Sequence, residues 1–131
     1  LRAIRFAAQL DFGIEAQTFQ AIRPSDIHVI SAERIYYELN RLMQTPRSHI
    51  GLQLLNDSGL LKELLKNQYE KERFELARDR LALLKRSNEH TKWVLFWLTF
   101  LDRVEKTEAK IILQQMKFSG DFIKAFNYVT D

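Results

Sequence analysis

The residues best placed to do chemistry are arginines set among apolar residues at the start of the chain, in "LRAIRFAAQL". Arg2, Arg5 and Gln9 fall at i, i+3 and i+7, which makes a narrow polar stripe on a helix whose other faces are apolar. Two arginines on such a helix need anionic partners. Glu33 and Glu38 of "SAERIYYELNRLM" are the expected ones, on a helix where Arg34, Tyr37, Glu38 and Arg41 also share a face. The arrangement reads equally as an internal ion-pair network joining two helices or as a grip on a nucleotide or phosphate, to which the planar arginine fork is suited. Other catalytic constellations are scarce. His28, His49 and His90 lie far apart, without the spacing that puts two metal ligands on one helical face. Asp57 and Ser58 precede Gly59 and read as helix-end chemistry, and the pairs Glu70/Glu72 and Glu105/Glu108 sit among lysines as surface charge. With no cysteine, thiolate catalysis and Cys-built zinc sites are excluded, and a reducing, cytoplasmic setting is expected.

The net charge of +3 is unevenly spread. Residues 1–59 hold six Lys/Arg against six Asp/Glu, residues 60–92 nine against six, and residues 93–131 five against five, so the excess lies in the middle. A basic segment can follow a phosphate backbone, although a mixed-sign run such as "KNQYEKERFELARDR" is more often a solvated helix face.

The elements that must carry these residues are helical almost throughout. Leu1, Ile4, Ala7 and Ala8 form a stripe widened by Phe6 and Leu10, so the first helix is expected to be nearly all buried, with Gly13 as its stop. A short helix over 15–22 ends at the Arg23–Pro24 step, and "SDIHVI" follows as a connector. Ser31 caps a third helix on which Ile35, Tyr36, Leu39, Leu42 and Met43 repeat at helical spacing. A fourth helix runs over 48–58 to Gly59, and "LLKELL" forms a fifth. A long charged helix over 69–85 turns Phe74, Ala77, Leu81 and Leu84 inward, and Ser87 or Asn88 caps the next. There Trp93, Phe96, Trp97 and Phe100 cover too wide an arc for one stripe, which places that helix at the centre of a bundle. Its apolar run "WVLFWLTFL" is far short of the roughly 20 residues that span a bilayer. Further helices follow over 107–116 and from Ser119, the last burying Phe122, Ile123, Phe126 and Val129. Without period-two alternation, a glycine-rich phosphate loop or a fixed repeat, the fold class is all-α: about eight or nine helices in two packed subdomains, 1–61 and 62–131.

Three phrases, "LRAIRFAAQLDFGIEAQTFQAI", "ISAERIYYELNRLM" and "GLQLLNDSGLL", resemble in order and wording the neck region of the bacterial CCA-adding tRNA nucleotidyltransferases and their poly(A) polymerase relatives. A shorter stretch, "AKIILQQMKFSGDFIKAFNYV", is similar to a K-F-S-x-x-x-I-x-x-V segment of the family's C-terminal body. The middle, 62–105, matches only in helical character.

The resemblance implies that Arg2 and Arg5, in the LRAxRF motif, and Glu33, Arg34 and Glu38, in the ERIxxEL motif, brace the floor of a nucleotide pocket and couple it to a catalytic head. It implies that Lys62, Lys66, Arg78, Lys85 and Arg86 lie along the acceptor and T arms of tRNA, reading A-form shape and phosphates rather than sequence. It also accounts for a chain that opens in mid-helix: in the family an E-D-x-x-R motif ends two residues before the position of Leu1, and the head with its metal-binding carboxylates precedes it. The expectation is a neck-and-body piece, inactive alone and holding no cofactor, of an enzyme that uses Mg with ATP and CTP. CCA addition and poly(A) addition stay unseparated, as does a helical interaction scaffold without RNA function. Some relatives carry a His-Asp phosphohydrolase after the neck; "VLFWLTFLDR" has no His-Asp pair, so no such second activity is expected.

Overall fold

The computed structural model describes residues 1–10, 14 and 16–130, and all regular elements among them are helical. In chain order they are α1 (Arg2–Leu10), α2 (Ala16–Gln20), a 3-10 segment (Pro24–Val29), α3 (Ala32–Met43), α4 (Ser48–Asp57), α5 (Leu60–Leu65), a 3-10 turn (Lys66–Gln68), α6 (Lys71–Leu83), α7 (Glu89–Leu101), α8 (Lys106–Gln115) and α9 (Gly120–Thr130). The expected stop at Gly13 and start at Glu15 lie outside the described residues.

Local chemistry explains most helix ends. Ser31 Oγ accepts the Arg34 amide and Asn88 Oδ1 the Thr91 amide, each satisfying one donor that a helix start leaves free. Ser119 does the same for Phe122 at the start of α9. Gly59 turns the chain between α4 and α5 at φ +84°, a conformation costly for any residue with a Cβ, and a Cβ there would lie 2.8 Å from Pro24 Cγ. α8 ends with Lys117 at φ +68° while the Phe118 amide reaches back to the Leu113 carbonyl at 3.0 Å, a Schellman closure made without glycine. That closure delivers Phe118 into the core, 4.9 Å from the Trp93 ring and 5.2 Å from Tyr36.

α7 is the central element. Trp93, Phe96, Trp97 and Phe100 are all buried, and their rings interlock with one another and with Phe118. α6 packs on both α4 and α7, α1 packs on α3 and α4, α3 meets α7, and α8 pairs with α9. Gly51 of α4 permits the closest approach: a Cβ there would fall 2.2 Å from Leu42 Cδ1 of α3. Buried apolar residues from α1 through α9 form one cluster, and the division at 61/62 falls within α5.

Several expectations fail locally. α1 is amphipathic rather than buried all round: Ile4, Ala7 and Ala8 are covered while Arg2, Ala3 and Phe6 are exposed, because among the described residues its main neighbours, α3 and α4, cover one side. The "SDIHVI" connector is wound into a 3-10 helix that buries Ile27 against α5. α6 starts at Lys71 rather than Tyr69, whose backbone is extended and whose hydroxyl donates to Asn56 Oδ1 at 2.5 Å. Leu84 is only half-buried, and Val129, expected in the core, is exposed on the outer side of α9.

Candidate functional site

The contact of α1 with α3 brings together most of the arginine-rich set. Glu38 is buried, and its Oε2 accepts a hydrogen bond from Arg5 Nε at 2.5 Å. Arg5, itself buried, also donates to Gln9 Oε1 at 3.0 Å, which gives the third member of the stripe its purpose. On the water side, Arg34 Nη2 lies 3.2 Å and Arg2 Nε 3.8 Å from Glu38 Oε1. That oxygen has no aligned hydrogen bond, so charge alone holds the two outer guanidiniums near it.

Glu33 does not join this group. It projects from the first turn of α3 and pairs with Lys117 at 3.4 Å, where its own backbone amide and then Lys117 hold its carboxyl below the usual glutamate range. One residue facing the wrong way changes the balance: among the described residues three arginines share one carboxylate. Arg41 adds a fourth cation at the next turn, without a carboxylate partner among the described residues. Between Arg34 and Arg41 stands Tyr37, half exposed, with the two guanidinium carbons 5.7 and 5.9 Å from its ring centre. Phe6, on the outer side of α1, has the Arg5 guanidinium 4.3 Å from its ring centre.

The basic middle of the chain divides in two. Arg78 is half-buried and internally engaged: Nη1 donates to Gln53 Oε1 of α4 at 2.8 Å, Nε to Asp79 at 3.1 Å, and the guanidinium sits 5.4 Å from the Phe74 ring centre. The other two arginines of α6 also face inward. Arg73 donates to the Thr99 carbonyl at 2.7 Å and to Asp102, and Arg80 to Thr99 Oγ1 at 3.1 Å. Part of the middle excess therefore ties α6 to its neighbours. Lys62, Lys66, Lys85 and Arg86 are exposed and have no carboxylate partner among the described residues. Lys66 also borders a cleft of about 380 Å³ among α3, α5 and α8.

Two basic residues lie where their sequence surroundings gave no warning. Lys92, within "EHTKW", is fully buried, and its ammonium donates to the Thr45 carbonyl at 2.8 Å; burial pushes its pKa below the ordinary lysine value. Arg47 Nε reaches the Ala8 carbonyl at the end of α1 at 3.1 Å, beside Thr45 Oγ1 at 3.4 Å. The histidines form no common centre. His28 pairs with Glu63 at 3.0 Å, His90 stands edge-on to Phe122, and burial, followed by the charges of Lys85 and Lys92, pushes His49 below the ordinary histidine range. No group of three His, Asp or Glu able to hold a metal occurs among the described residues.

The comparisons with known proteins bear on the same surface. A family model described as "Probable RNA and SrmB- binding site of polymerase A" matches residues 11–71, which include all of α3 and α5. The CCA-adding enzyme of Lactococcus lactis subsp. cremoris (strain SK11) is 34% identical over 134 aligned positions, covering 100% of this chain and 31% of its own length. That of Pediococcus pentosaceus is 32% identical with 95% of the chain covered, and that of Streptococcus agalactiae serotype V 29% identical with 100% covered. Over its whole length the chain is similar to part of a CCA-adding enzyme, and over residues 11–71 to the RNA-binding segment described for polymerase A. It spans about a third of the length of the CCA-adding enzymes it matches, 31% of the Lactococcus protein and 32% of the Streptococcus one. No solved structure matches it at comparable significance. Within the family match lie Glu33, Arg34 and Glu38 as well as Lys62 and Lys66, whereas Arg2 and Arg5 fall only within the longer alignments to the CCA-adding enzymes. No helix among the described residues is long and apolar enough to cross a membrane.

Proposed function

We propose that this chain is the tRNA-binding neck and body of a tRNA nucleotidyltransferase that adds CCA to tRNA 3′ ends from CTP and ATP. The observation that carries the reading is the cluster of three arginines around one carboxylate at the α1–α3 contact, with Arg41 a further cation on α3, in a chain aligned over its whole length with a CCA-adding enzyme. Glu38 and Arg5 form its rigid floor, and Arg2 and Arg34 are the groups that meet the nucleotide side. Glu33 and Lys117 serve instead to tie α3 to the end of α8.

On this reading Mg, ATP and CTP are held by a catalytic head beyond these residues, and the 131-residue chain binds RNA without transferring nucleotides. Lys62, Lys66, Lys85 and Arg86 supply exposed cations for the acceptor and T arms, while Arg78 braces α6 against α4. The second reading, a poly(A) polymerase adding A to RNA 3′ ends, is favoured by one observation, the "polymerase A" description of the family match.

The test is binding of this chain to unmodified tRNA across a salt series. We expect weak binding whose logarithm falls linearly with the logarithm of salt, and a Lys85→Glu/Arg86→Glu variant that binds more weakly with a slope shallower by about 2. Absence of binding at low ionic strength would leave a helical scaffold as the reading. Unchanged binding by the variant would remove Lys85 and Arg86 from the surface.

A further inference from the structure

We propose that Tyr37 is a stacking platform for an unpaired nucleotide of the bound RNA, with Arg34 and Arg41 as the cations that flank it. The inference rests on the RNA-binding reading above and names the surface and the residue that receive a single-stranded end.

The two tyrosines of "ERIYYEL" have opposite fates. Tyr36 is packed edge-on against Phe118, 5.2 Å between ring centres, and belongs to the core. Tyr37, one residue on, turns out of the bundle and remains 48% exposed. A single exposed tyrosine is ordinary and needs no explanation. What sets this one apart is its company. Arg34 and Arg41 stand at i−3 and i+4, the two positions that neighbour it on the helix surface, so a guanidinium lies on either side of the ring along α3. Arg34 is drawn toward Glu38, whereas Arg41 has no carboxylate partner among the described residues. Arg2 and the exposed edge of Phe6 continue the surface onto α1.

This alternation of aromatic ring and cation is what an unpaired strand requires. Bases stack on aromatic rings and on guanidinium planes, and the same cations meet the phosphates between them. A protein partner would find little here to bury, because the patch is narrow and strongly charged. A duplex would offer phosphates to the arginines but no free base face to Tyr37.

The experiment compares two RNA hairpins of identical stem, one blunt and one ending in four unpaired 3′ nucleotides, as probes for the 131-residue chain and its Tyr37→Leu, Tyr37→Phe and Arg41→Gln variants. Circular dichroism first confirms that each variant is folded. We expect Tyr37→Leu to weaken binding of the tailed probe by ~5- to 100-fold with an unchanged salt slope, and to leave the blunt probe unaffected. Tyr37→Phe keeps the ring and the affinity; Arg41→Gln weakens binding and flattens the slope by about 1. If Tyr37→Leu leaves the tailed probe unchanged, or weakens both probes alike, the stacking role is wrong while RNA binding stands. If the unaltered chain binds neither probe at low salt, the RNA-binding reading falls and takes this inference with it.

Discussion

Replacing Glu38 by Gln tests whether the α1–α3 contact is held by charge. Glu38 is 3% exposed and the Arg5 side chain 7%, so neither can recover solvation by a small movement. The substitution removes one negative charge and puts an amide where Glu38 now faces three guanidiniums at 2.5, 3.2 and 3.8 Å. Arg5 then keeps its Gln9 hydrogen bond but is a buried cation without a counter-charge. Breaking a buried pair from one side costs about 3–5 kcal/mol. A domain of this size has a total stability of about 5–15 kcal/mol, so the loss is a large part of it. At about 3–4 °C per kcal/mol the melting temperature falls by roughly 10–20 °C. Urea and thermal unfolding followed by circular dichroism measure it, together with Arg5→Met and the double variant. The double variant should be more stable than the sum of the single losses predicts, by at least about 1.5 kcal/mol, because it leaves no orphaned charge. A Glu38→Gln cost below about 1 kcal/mol would mean that water reaches Arg5, and the rigid-floor argument would fail.

Two further substitutions test the core. Lys92→Met should stabilise the chain at pH 7 by about 1 kcal/mol: it removes a buried ammonium with one acceptor, and the Thr45 carbonyl keeps the Ser48 amide as a donor. Because burial lowers the folded-state pKa of Lys92, the unfolded chain binds more protons between that value and the ordinary lysine value; the unaltered protein therefore gains stability as pH rises through this window. Urea midpoints at pH 7 and pH 9.5 should converge between the unaltered chain and the variant, and a constant difference would contradict the assignment. Gly51→Ala improves helix propensity by about 1 kcal/mol but drives a Cβ to 2.2 Å from Leu42 Cδ1, and the net effect expected is a loss of about 1–2 kcal/mol. Combining it with Leu42→Ala should cost less than the two separately, which the same urea titrations would show.

How far the sequence could be read depended on how local each determinant is. Ser31 and Ser119 were legible as caps, and the cap of α7 was narrowed to Ser87 or Asn88, because a cap needs only its own next three residues. α7 was legible as central because Trp93, Phe96, Trp97 and Phe100 leave no polar face. The Arg5–Glu38 pair could be narrowed to two carboxylates but not one, since the rotation of α3 against α1 decides which of Glu33 and Glu38 is buried. The failures concern long side chains with apolar stems. Arg73, Arg78 and Arg80 belong to a mixed-sign run that reads as a solvated face yet reach back to α4 and α7, and Lys92 is fully covered although nothing in its sequence surroundings marks it. Charge summed along the sequence located the excess in the middle third. In space, four of those cations, Arg73, Arg78, Arg80 and Lys92, are engaged inside the bundle, and three arginines gather on Glu38 at the contact of α1 with α3.

The burial of Trp93 and Trp97 makes them an internal optical reference. Both indoles are almost wholly shielded from water, and Trp93 Nε1 donates to Asn40 Oδ1 at 2.9 Å. Their native emission should be blue-shifted and insensitive to collisional quenchers such as iodide, and it should shift red when the bundle opens. A strand laid along the outer side of α3 would touch neither indole. The two tryptophans thus report opening of the bundle separately from any event on the outer side of α3.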